Sequence, residues 1–250
     1  MYHNEREREI IKILAREKYV TVKQLSGWLY SSESSIRRDL ASLEKQGVVK
    51  RSYGGAELTK NSSQIIPFIT RAHSNVSAKK IMARKAAQLI HEGDIVFLDQ
   101  SSSAYFIANE IIKLPKVTVV TNNIEIIALL SQSETNVISS GGNLSRSNRN
   151  CLMGSDAQKI FRDMHADILF FSAKSLSRDG IIYDCEREEV CLRNVMLANA
   201  EKKVFLCASE KYDHFSGYRQ CSIADIDYII TETSNLEMFK DLEDYQHLVH

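Results

Sequence analysis

The chain has 250 residues, enough for two domains of ordinary size, and its 44% hydrophobic and 26% charged residues are typical of a globular protein in water. No run of about 18 apolar residues occurs and the N-terminus begins with charged residues, so we expect neither a transmembrane helix nor a secretory signal. The formal net charge is zero, which taken alone argues against a nucleic-acid binder.

The charge is unevenly placed along the chain. The first 60 residues hold 12 basic and 8 acidic side chains, whereas the remaining residues hold 20 basic and 24 acidic ones. A basic small end joined to an acidic larger part is typical of a DNA-binding module attached to a domain with another task.

Helical spacing of apolar residues predicts three helices in the basic end of the chain, followed by a hairpin. The predicted elements are a helix from about residue 4 to 17, a short helix capped by Thr21, a helix from residue 31 or 32 to about 46, a strand over residues 48–53 and a turn at Gly54-Gly55. This element order is that of a winged helix-turn-helix.

The third predicted helix has two distinct faces. An apolar stripe through Ile36 and Leu40 would pack on the other helices, and the opposite face carries Ser34, Arg37 and Arg38. Arginine binds guanine edges and phosphates, so this face suits the reading helix of the motif. The plainer interpretation of the two arginines is an exposed basic face on an ordinary helix. The three-helix spacing, the turn and the basic strand together favour DNA reading.

Residues 58–77 are polar and non-periodic and are predicted to form a linker. Beyond them apolar strands alternate with helices, which indicates a mostly parallel sheet covered on both faces. The predicted helices are 79–91, 105–113 and 124–130, and the predicted strands are 94–99, 117–121, 136–139, 167–171, 203–207 and 227–231. We therefore expect an α/β protein with a winged helix-turn-helix at 1–57, a linker at 58–77 and a mostly parallel α/β sensing domain at 78–250.

A serine-rich segment from Asp99 to Ser103 lies between a predicted strand and a predicted helix. Free N–H groups at a helix start, together with serine hydroxyls, form a cradle for phosphate. Thr121-Asn122 and Gly141-Gly142 follow the next two strands and would converge on the same crevice. Two plainer interpretations stay open: the serines only cap a helix, and the glycines only form a turn.

Several stretches resemble the motifs of the DeoR family of bacterial transcription regulators. They are Ser35-Ile36-Arg37-Arg38-Asp39-Leu40, then Leu43-Glu44, then Arg51-Ser52-Tyr53-Gly54-Gly55-Ala56, with Tyr53 where the family usually has histidine. The resemblance continues through Lys79, Phe97-Leu98-Asp99, Val119-Val120-Thr121-Asn122 and Gly141-Gly142. It implies an operator-binding winged helix-turn-helix and a sensor domain similar in fold to ribose-5-phosphate isomerase. It also implies that the sensor domain binds phosphorylated sugars or their metabolites.

The same resemblance brings in three further candidate effector contacts. Lys211 stands at the lysine of a D-x-S-K motif, Glu189 stands at an acidic position ahead of a K-R-x-M stretch, and Lys79 is a second candidate cation. The plainer interpretations are a solvated surface lysine for Lys211 and a helix-surface carboxylate for Glu189. Three positions depart from the pattern, a loop glycine, a glycine after a strand and the D-x-S-K aspartate; they are Ser101, Ser172 and Ala208. These departures predict an altered ligand or a weaker affinity for sugar phosphates.

The sequence thus predicts a DNA-binding transcriptional regulator, expected to repress sugar or carbohydrate metabolism genes under the control of a phosphorylated sugar or related metabolite. The predicted DNA contacts are Thr21, Ser34, Ser35, Arg37, Arg38, Lys50, Arg51, Tyr53, Gly54 and Gly55. The predicted effector contacts are Lys79, Asp99, Ser101, Ser102, Ser103, Thr121, Asn122, Gly141, Gly142, Glu189 and Lys211. We expect operator DNA, the effector and further copies of the chain as partners.

Neither a catalytic residue nor a metal or cofactor is expected. Five cysteines without a CxxC motif indicate reduced thiols and a cytoplasmic protein. Two other classes stay open. One is a sugar-phosphate-isomerase-like enzyme with a DNA-binding appendage, for which Asp99 or Glu189 would have to serve as the base. The other is an architectural DNA binder without a ligand.

Overall fold

A computed structural model describes residues 3–17, 19–45, 48–58 and 68–250. The chain divides into two compact units, Met1–Val76 and Ser77–His250. In the described part of the chain, no helix is both long enough and apolar enough to cross a membrane.

The first unit is built from short helices and a small antiparallel sheet. Its elements are α1 (His3–Arg16), β1 (Val20–Thr21), α2 (Val22–Trp28), α3 (Glu33–Lys45), β2 (Val49–Ser52), β3 (Gly55–Leu58) and α4 (Phe68–His73). The strands lie in the order β1-β3-β2. The three helices and the hairpin expected from apolar spacing are confirmed, while the predicted end of the third helix at residues 46 and 47 lies outside the described residues.

The core of this unit is the apolar stripe of each helix. The most deeply buried side chains are Ile10, Leu14, Val20, Leu25, Ile36, Leu40, Leu43, Val49 and Ala56. Local bonds at the helix starts fix the boundaries. Thr21 and Gln24 form a reciprocal capping box at α2, and Ser32 Oγ accepts from Ser35 N at 3.3 Å ahead of α3.

Helix α4 lies within the segment proposed as a linker. Phe68 and Thr70 are buried, and Ile69 packs against the core of the first unit. A helix of one and a half turns shows too little periodicity to be found in a polar sequence, because its order depends on tertiary packing of few side chains. Residues 59–67 of the proposed linker lie outside the described residues.

The second unit is an α/β structure. Its elements are α5 (Val76–Ala87), β4 (Ile95–Leu98), α6 (Ser102–Ile111), β5 (Thr118–Thr121), α7 (Ile124–Leu130), β6 (Asn136–Ser139), β7 (Asn143–Leu144), β8 (Leu152–Met153), α8 (Ser155–Asp163), β9 (Ala166–Phe171), β10 (Ser175–Leu176), β11 (Ile181–Asp184), α9 (Arg187–Ala198), β12 (Ala200–Leu206), β13 (Tyr218–Ser222), β14 (Tyr228–Ile230) and α10 (Tyr245–Leu248), with 3-10 turns at Ser209–Lys211, Ile223–Asp225 and Leu236–Phe239.

Six strands form one parallel sheet in the order β14-β12-β9-β4-β5-β6. Both faces are covered, because neighbouring residues of one strand belong to different hydrophobic clusters. Phe170 packs into one cluster and Phe171 into the other, as do Val96 and Phe97 on β4. The predicted mostly parallel α/β sheet is therefore confirmed, and all six predicted strands belong to it.

Two smaller sheets were not predicted. Strands β10, β11 and β13 form an antiparallel sheet, and β7 pairs with β8. These strands have two to five residues, and β13 is rich in polar side chains, so the alternation that marks a strand is absent from them. Strand β8 contacts helices α8 and α9, and β13 contacts α9.

Candidate functional site

Helix α3 presents the predicted reading face to solvent. Ser34, Arg37 and Arg38 are exposed, and Ser35 is half-buried. Arg37 Nη2 lies 2.6 Å from Glu33 Oε2 one turn earlier, on the same exposed face. The structure thus brings the hydroxyls and arginines of this helix together on one accessible surface.

An ion pair that the sequence did not predict fixes α3 against α1. Arg6 donates through Nε to Asp39 Oδ2 at 2.5 Å and through Nη2 to Oδ1 at 3.2 Å, and the Asp39 side chain is buried. The hydrogen bond from Arg6 opposes the effect of its desolvation, so the pKa of Arg6 is raised. Asp39 follows the two exposed arginines directly, and that polar residue on the buried side of the helix was the available signal.

The β2–β3 hairpin carries the other predicted DNA contacts. Lys50, Arg51 and Tyr53 are exposed, and Arg51 is held by Glu44 of α3 through Nε at 2.7 Å and through its backbone N–H at 3.2 Å. The Arg51 hydrogen bonds lower the pKa of Glu44. Thr21 pairs with Gly55 of β3, and its hydroxyl caps α2.

In the second unit the serine segment folds around Asp99. Ser101 Oγ accepts from Ala104 N at 3.1 Å and so caps α6, while Ser101 N donates to Asp99 Oδ1 at 3.0 Å. Ser102 and Ser103 are buried in the first turn of α6. Ser101 therefore caps α6, and an effector contact of this segment stays a prediction.

Asp99 is joined to a buried arginine of α9. Arg193 Nε lies 3.1 Å from Asp99 Oδ2, and its Nη1 lies 3.0 Å from Asp184 Oδ2 and 2.5 Å from Gln220 Oε1. Burial alone would lower the pKa of Arg193, but the charges of Asp184 and Asp99 outweigh it, so this pKa lies above its usual value. Arg193 therefore connects the serine segment to β11 and β13.

Glu189 lies one turn before Arg193 on α9 and is also buried. Its carboxylate accepts from Gln100 Nε2 at 3.0 Å and from Asn148 Nδ2 at 2.8 Å. The helix-surface interpretation of Glu189 is thus wrong. Gln100 and Asn148 were missed by sequence reasoning, because nothing local distinguishes them from ordinary loop amides.

Lys211 reaches the same region from the segment after β12. Its Nζ donates to Ser172 Oγ at 2.7 Å and to Ala173 O at 2.8 Å, and Ser172 N donates to Asp99 Oδ2 at 3.2 Å. Lys211, Ser172, Asp99 and Arg193 therefore form a continuous polar network at the carboxyl edge of the sheet. The side chain of Ser172 has a bonding role that glycine could not supply.

Three buried amide atoms at this edge have no hydrogen-bond partner among the described residues. They are Gln100 Oε1, Asn122 Oδ1 and Asn123 Nδ2, and each of the three side chains is at most 1% exposed. Asn122 Nδ2 donates to Leu152 O at 3.2 Å, and Asn123 Oδ1 caps α7. An unsatisfied buried amide costs free energy, so these atoms indicate where a polar ligand or water would be stabilised.

Gly141 and Gly142 follow β6 next to the end of β5. Ser140 N donates to Thr121 O at 2.9 Å, which places the glycines beside Thr121. Both have positive φ angles, +66° and +93°, and a Cβ on Gly142 would lie 2.9 Å from Ala157 Cβ. Gly142 therefore permits close packing against α8, whereas a Cβ on Gly141 would meet open space.

The structure thus brings Asp99, Ser101, Glu189 and Lys211 into one polar region through hydrogen bonds, with Thr121 and the glycines on the neighbouring strands. Lys79 is buried near the start of α5, and its effector contact stays a prediction. Within the described residues, no group of three or more His, Cys, Asp or Glu side chains is arranged to hold a metal ion.

An open depression of about 470 Å³ lies on the α9 and β13 side of the second unit. It is lined by Asn194, Leu197, Ala198, Lys203, Arg219, Gln220, Cys221 and Asp225. None of the predicted effector residues lines it, so we do not assign the effector to it.

Comparison with known proteins gives consistent matches to both units. The family profile described as "DeoR-like helix-turn-helix domain" matches residues 6–62, and the profile described as "DeoR C terminal sensor domain" matches residues 74–233. The HTH-type transcriptional regulator GolR of Listeria innocua is 30% identical over 98% of this chain and 96% of its own length.

Two further relatives differ in the direction of regulation that their names state. The HTH-type transcriptional repressor GlcR of Bacillus subtilis is 30% identical over 98% of this chain and 94% of its own length. The L-fucose operon activator of Haemophilus influenzae is 28% identical over 96% of this chain and 98% of its own length. Among solved structures, ribose 5-phosphate isomerase A of Methanocaldococcus jannaschii aligns with 56% of this chain and 55% of its own length, at 18% identity and a TM-score of 0.42.

Proposed function

The chain belongs to the DeoR family of DNA-binding transcriptional regulators, and we propose that it represses genes of sugar or carbohydrate metabolism until a phosphorylated sugar or related metabolite binds its second unit. The first unit would bind operator DNA through α3 and the β2–β3 hairpin. The second unit would bind the effector at the carboxyl edge of its parallel sheet.

The exposed face of α3 carries the DNA-binding part of this proposal. Arg37 and Arg38 stand on a helix whose opposite side is buried and whose position is fixed by the Arg6–Asp39 ion pair. A helix held in this way can enter the major groove with its side chains directed at base edges. Lys50 and Arg51 would then lie along the DNA backbone.

The three buried amide atoms without a hydrogen-bond partner in the described part of the chain support the effector part of the proposal. Gln100 Oε1 and Asn122 Oδ1 are acceptor atoms and Asn123 Nδ2 is a donor atom, all three without a partner among the described residues, and such groups suit the hydroxyl groups of a sugar. The first turn of α6 at Ser102 and Ser103 supplies N–H donors and a positive dipole end for a phosphate. A phosphorylated sugar therefore matches both kinds of group, the acceptors and the anion-binding turn.

The buried carboxylates of Asp99 and Glu189 favour a regulator over an isomerase. An isomerase needs a carboxylate that is free to abstract a proton from its substrate. Both Asp99 and Glu189 are already held by protein donors, Asp99 by Arg193 and two backbone N–H groups, and Glu189 by two side-chain amides. The chain is a regulator and not an enzyme, in agreement with its named relatives.

Repression is the direction that we propose because GlcR and other relatives are named repressors. We also propose that the protein acts in the cytoplasm as a dimer or larger homo-oligomer. Family operators are expected to be palindromic or repeated, and such sites are matched by symmetric assemblies. The effector must bind the DNA-free state more tightly than the DNA-bound state for release to follow.

Titration of the full chain against duplex DNA from the region upstream of its own gene tests both parts. We expect saturable binding that a non-cognate duplex of equal length does not reproduce at the same salt concentration. Sugar phosphates of a panel are then added one at a time, and at least one of them should weaken binding of the protein to the cognate duplex. Absence of sequence-specific binding would overturn the DNA part, whereas specific binding that no sugar phosphate alters would overturn the effector part.

A further inference from the structure

The tip of the β2–β3 hairpin carries a fully exposed aromatic side chain. Tyr53 is the residue at the tip, and its side chain is fully exposed to solvent. Gly54, with φ +75°, completes the turn. Strand β1 pairs with β3 as far as Gly55, so the direction of a side chain at the tip depends on what holds the turn before Gly55.

Tyr19 holds this turn from outside the hairpin. Its hydroxyl donates to the backbone carbonyl of Tyr53 at 2.6 Å. Its ring lies over Gly55, where a Cβ would stand 2.6 Å from the Tyr19 hydroxyl oxygen and 2.7 Å from Cζ. Next to it, Val22 N donates to Gly54 O at 2.7 Å. Both carbonyl groups at the tip are therefore bound by the segment that leads into α2.

The close approach explains why residue 55 is glycine. Gly55 does not have a positive φ, so backbone strain does not demand glycine there. The demand comes from the Tyr19 ring and from the neighbouring backbone at Val20, which occupy the space of a side chain. Because residue 55 is glycine, the Tyr19 ring can approach closely enough for its hydroxyl to bind the backbone carbonyl of Tyr53.

We propose that Tyr19 is a positioning residue for operator binding, which orders the hairpin tip so that Tyr53 meets the DNA. The inference rests on the proposed DNA-binding function. A tip that is ordered before binding loses less conformational freedom when it meets the DNA, and the affinity rises accordingly. Tyr19 acts through Tyr53 and does not itself have to contact DNA.

A double-mutant cycle on the full chain tests this coupling. Tyr19→Phe removes the hydroxyl and keeps the ring, and Tyr53→Ala removes the side chain at the tip. We expect Tyr19→Phe to weaken operator binding about 3- to 10-fold, which corresponds to the net loss of one hydrogen bond. In the Tyr53→Ala background, Tyr19→Phe should have almost no further effect. Tyr218→Phe on β13 is the matched control and should bind as the wild type does.

A merely structural role gives a different pattern. Tyr19→Phe would then lower the melting temperature of the free protein, while the folded variant would bind the operator as the wild type does. Alternatively, the loss of affinity caused by Tyr19→Phe would add to the loss caused by Tyr53→Ala. Either result overturns the inference. Gly55→Ala provides a second variant, because its methyl group would overlap Val20 O, would stand 2.6 Å from the Tyr19 hydroxyl oxygen and must displace both. Unchanged affinity of folded Gly55→Ala would also overturn the inference. If the wild type itself does not bind the operator specifically, the proposed function fails first.

Discussion

Arg193 Nε lies 3.1 Å from Asp99 Oδ2, and both side chains are almost wholly excluded from solvent. The pair joins α9 to the segment after β4, where Ser101–Ser103 begin α6. The same carboxylate accepts from the backbone N–H of Ser101 and of Ser172. The position of the proposed phosphate-binding turn therefore depends on an arginine that does not belong to it.

Arg193→Met should strongly destabilise the protein. The substitution leaves Asp99 and Asp184 buried without their cation, and removal of one partner from a buried pair typically costs about 3–5 kcal/mol. The free energy of unfolding, measured by urea denaturation at neutral pH, should fall by an amount of that order. Arg187→Met, at the exposed start of α9, is the control and should change it by less than about 0.5 kcal/mol. Equal losses for the two variants would show that the Asp99–Arg193 pair contributes no special stability.

Much of this region could be read from the sequence, and part of it could not. The strand ends at Asp99, Thr121 and Gly141 follow from apolar runs, because parallel strands place their carboxyl ends at one edge. Partners that come from distant segments leave no local pattern. Gln100 and Asn148 meet at Glu189 only after β4, the β7–β8 pair and α9 have packed. Apolar runs therefore predicted which strand ends meet at this edge, but the hydrogen bonds between them required the fold.

Glu232 gives the stability a dependence on acid pH. Burial raises the pKa of this carboxyl, but hydrogen bonds from the hydroxyl and backbone N–H of Ser209 outweigh it, so the pKa lies below its usual 4.5. Because the folded pKa is depressed, the contribution is present above the unfolded pKa and is lost as the pH falls through the folded value. Glu232→Gln should therefore reduce the free energy of unfolding at pH 7, and the difference from wild type should shrink below about pH 4. A difference that is constant from pH 7 to pH 3 would contradict this assignment.

Arg37→Ala should weaken operator binding. If the side chain bonds a base edge, the loss is at least about 1–3 kcal/mol and discrimination at one base pair is relaxed. Fluorescence anisotropy at fixed salt with the cognate duplex and with duplexes changed at single positions measures both effects. Arg162→Ala, an exposed arginine of α8 in the second unit, removes the same charge away from the proposed interface and should leave binding unchanged. Unaltered affinity of Arg37→Ala at matched salt would exclude a role for Arg37 in reading DNA.

Cys191 should react with iodoacetamide before the other cysteines. It is exposed on α9, whereas burial raises the pKa of Cys185 to about 11 and that of Cys207 and Cys221 to about 12, and Cys151 is buried. The thiolate is the reactive form, so these shifts and the lack of access slow alkylation. Mass spectrometry of the native protein at pH 8 should show one rapid addition, which Cys191→Ser removes. Rapid labelling of Cys207 would contradict its burial beneath the sheet edge.

Ser102→Asp should abolish the response to a phosphorylated effector while DNA binding is retained. Ser102 is the buried first residue of α6, so a carboxylate there is desolvated but is stabilised by the helix dipole, and the melting temperature of the variant checks that it folds. The same charge repels a phosphate that approaches the N–H groups of that turn. The measurement is operator affinity with and without the sugar phosphate that releases the wild type. Ser131→Asp, at the exposed C-terminal end of α7, adds the same charge and should respond as the wild type does. A normal effector response of folded Ser102→Asp would place the phosphate elsewhere than at the start of α6.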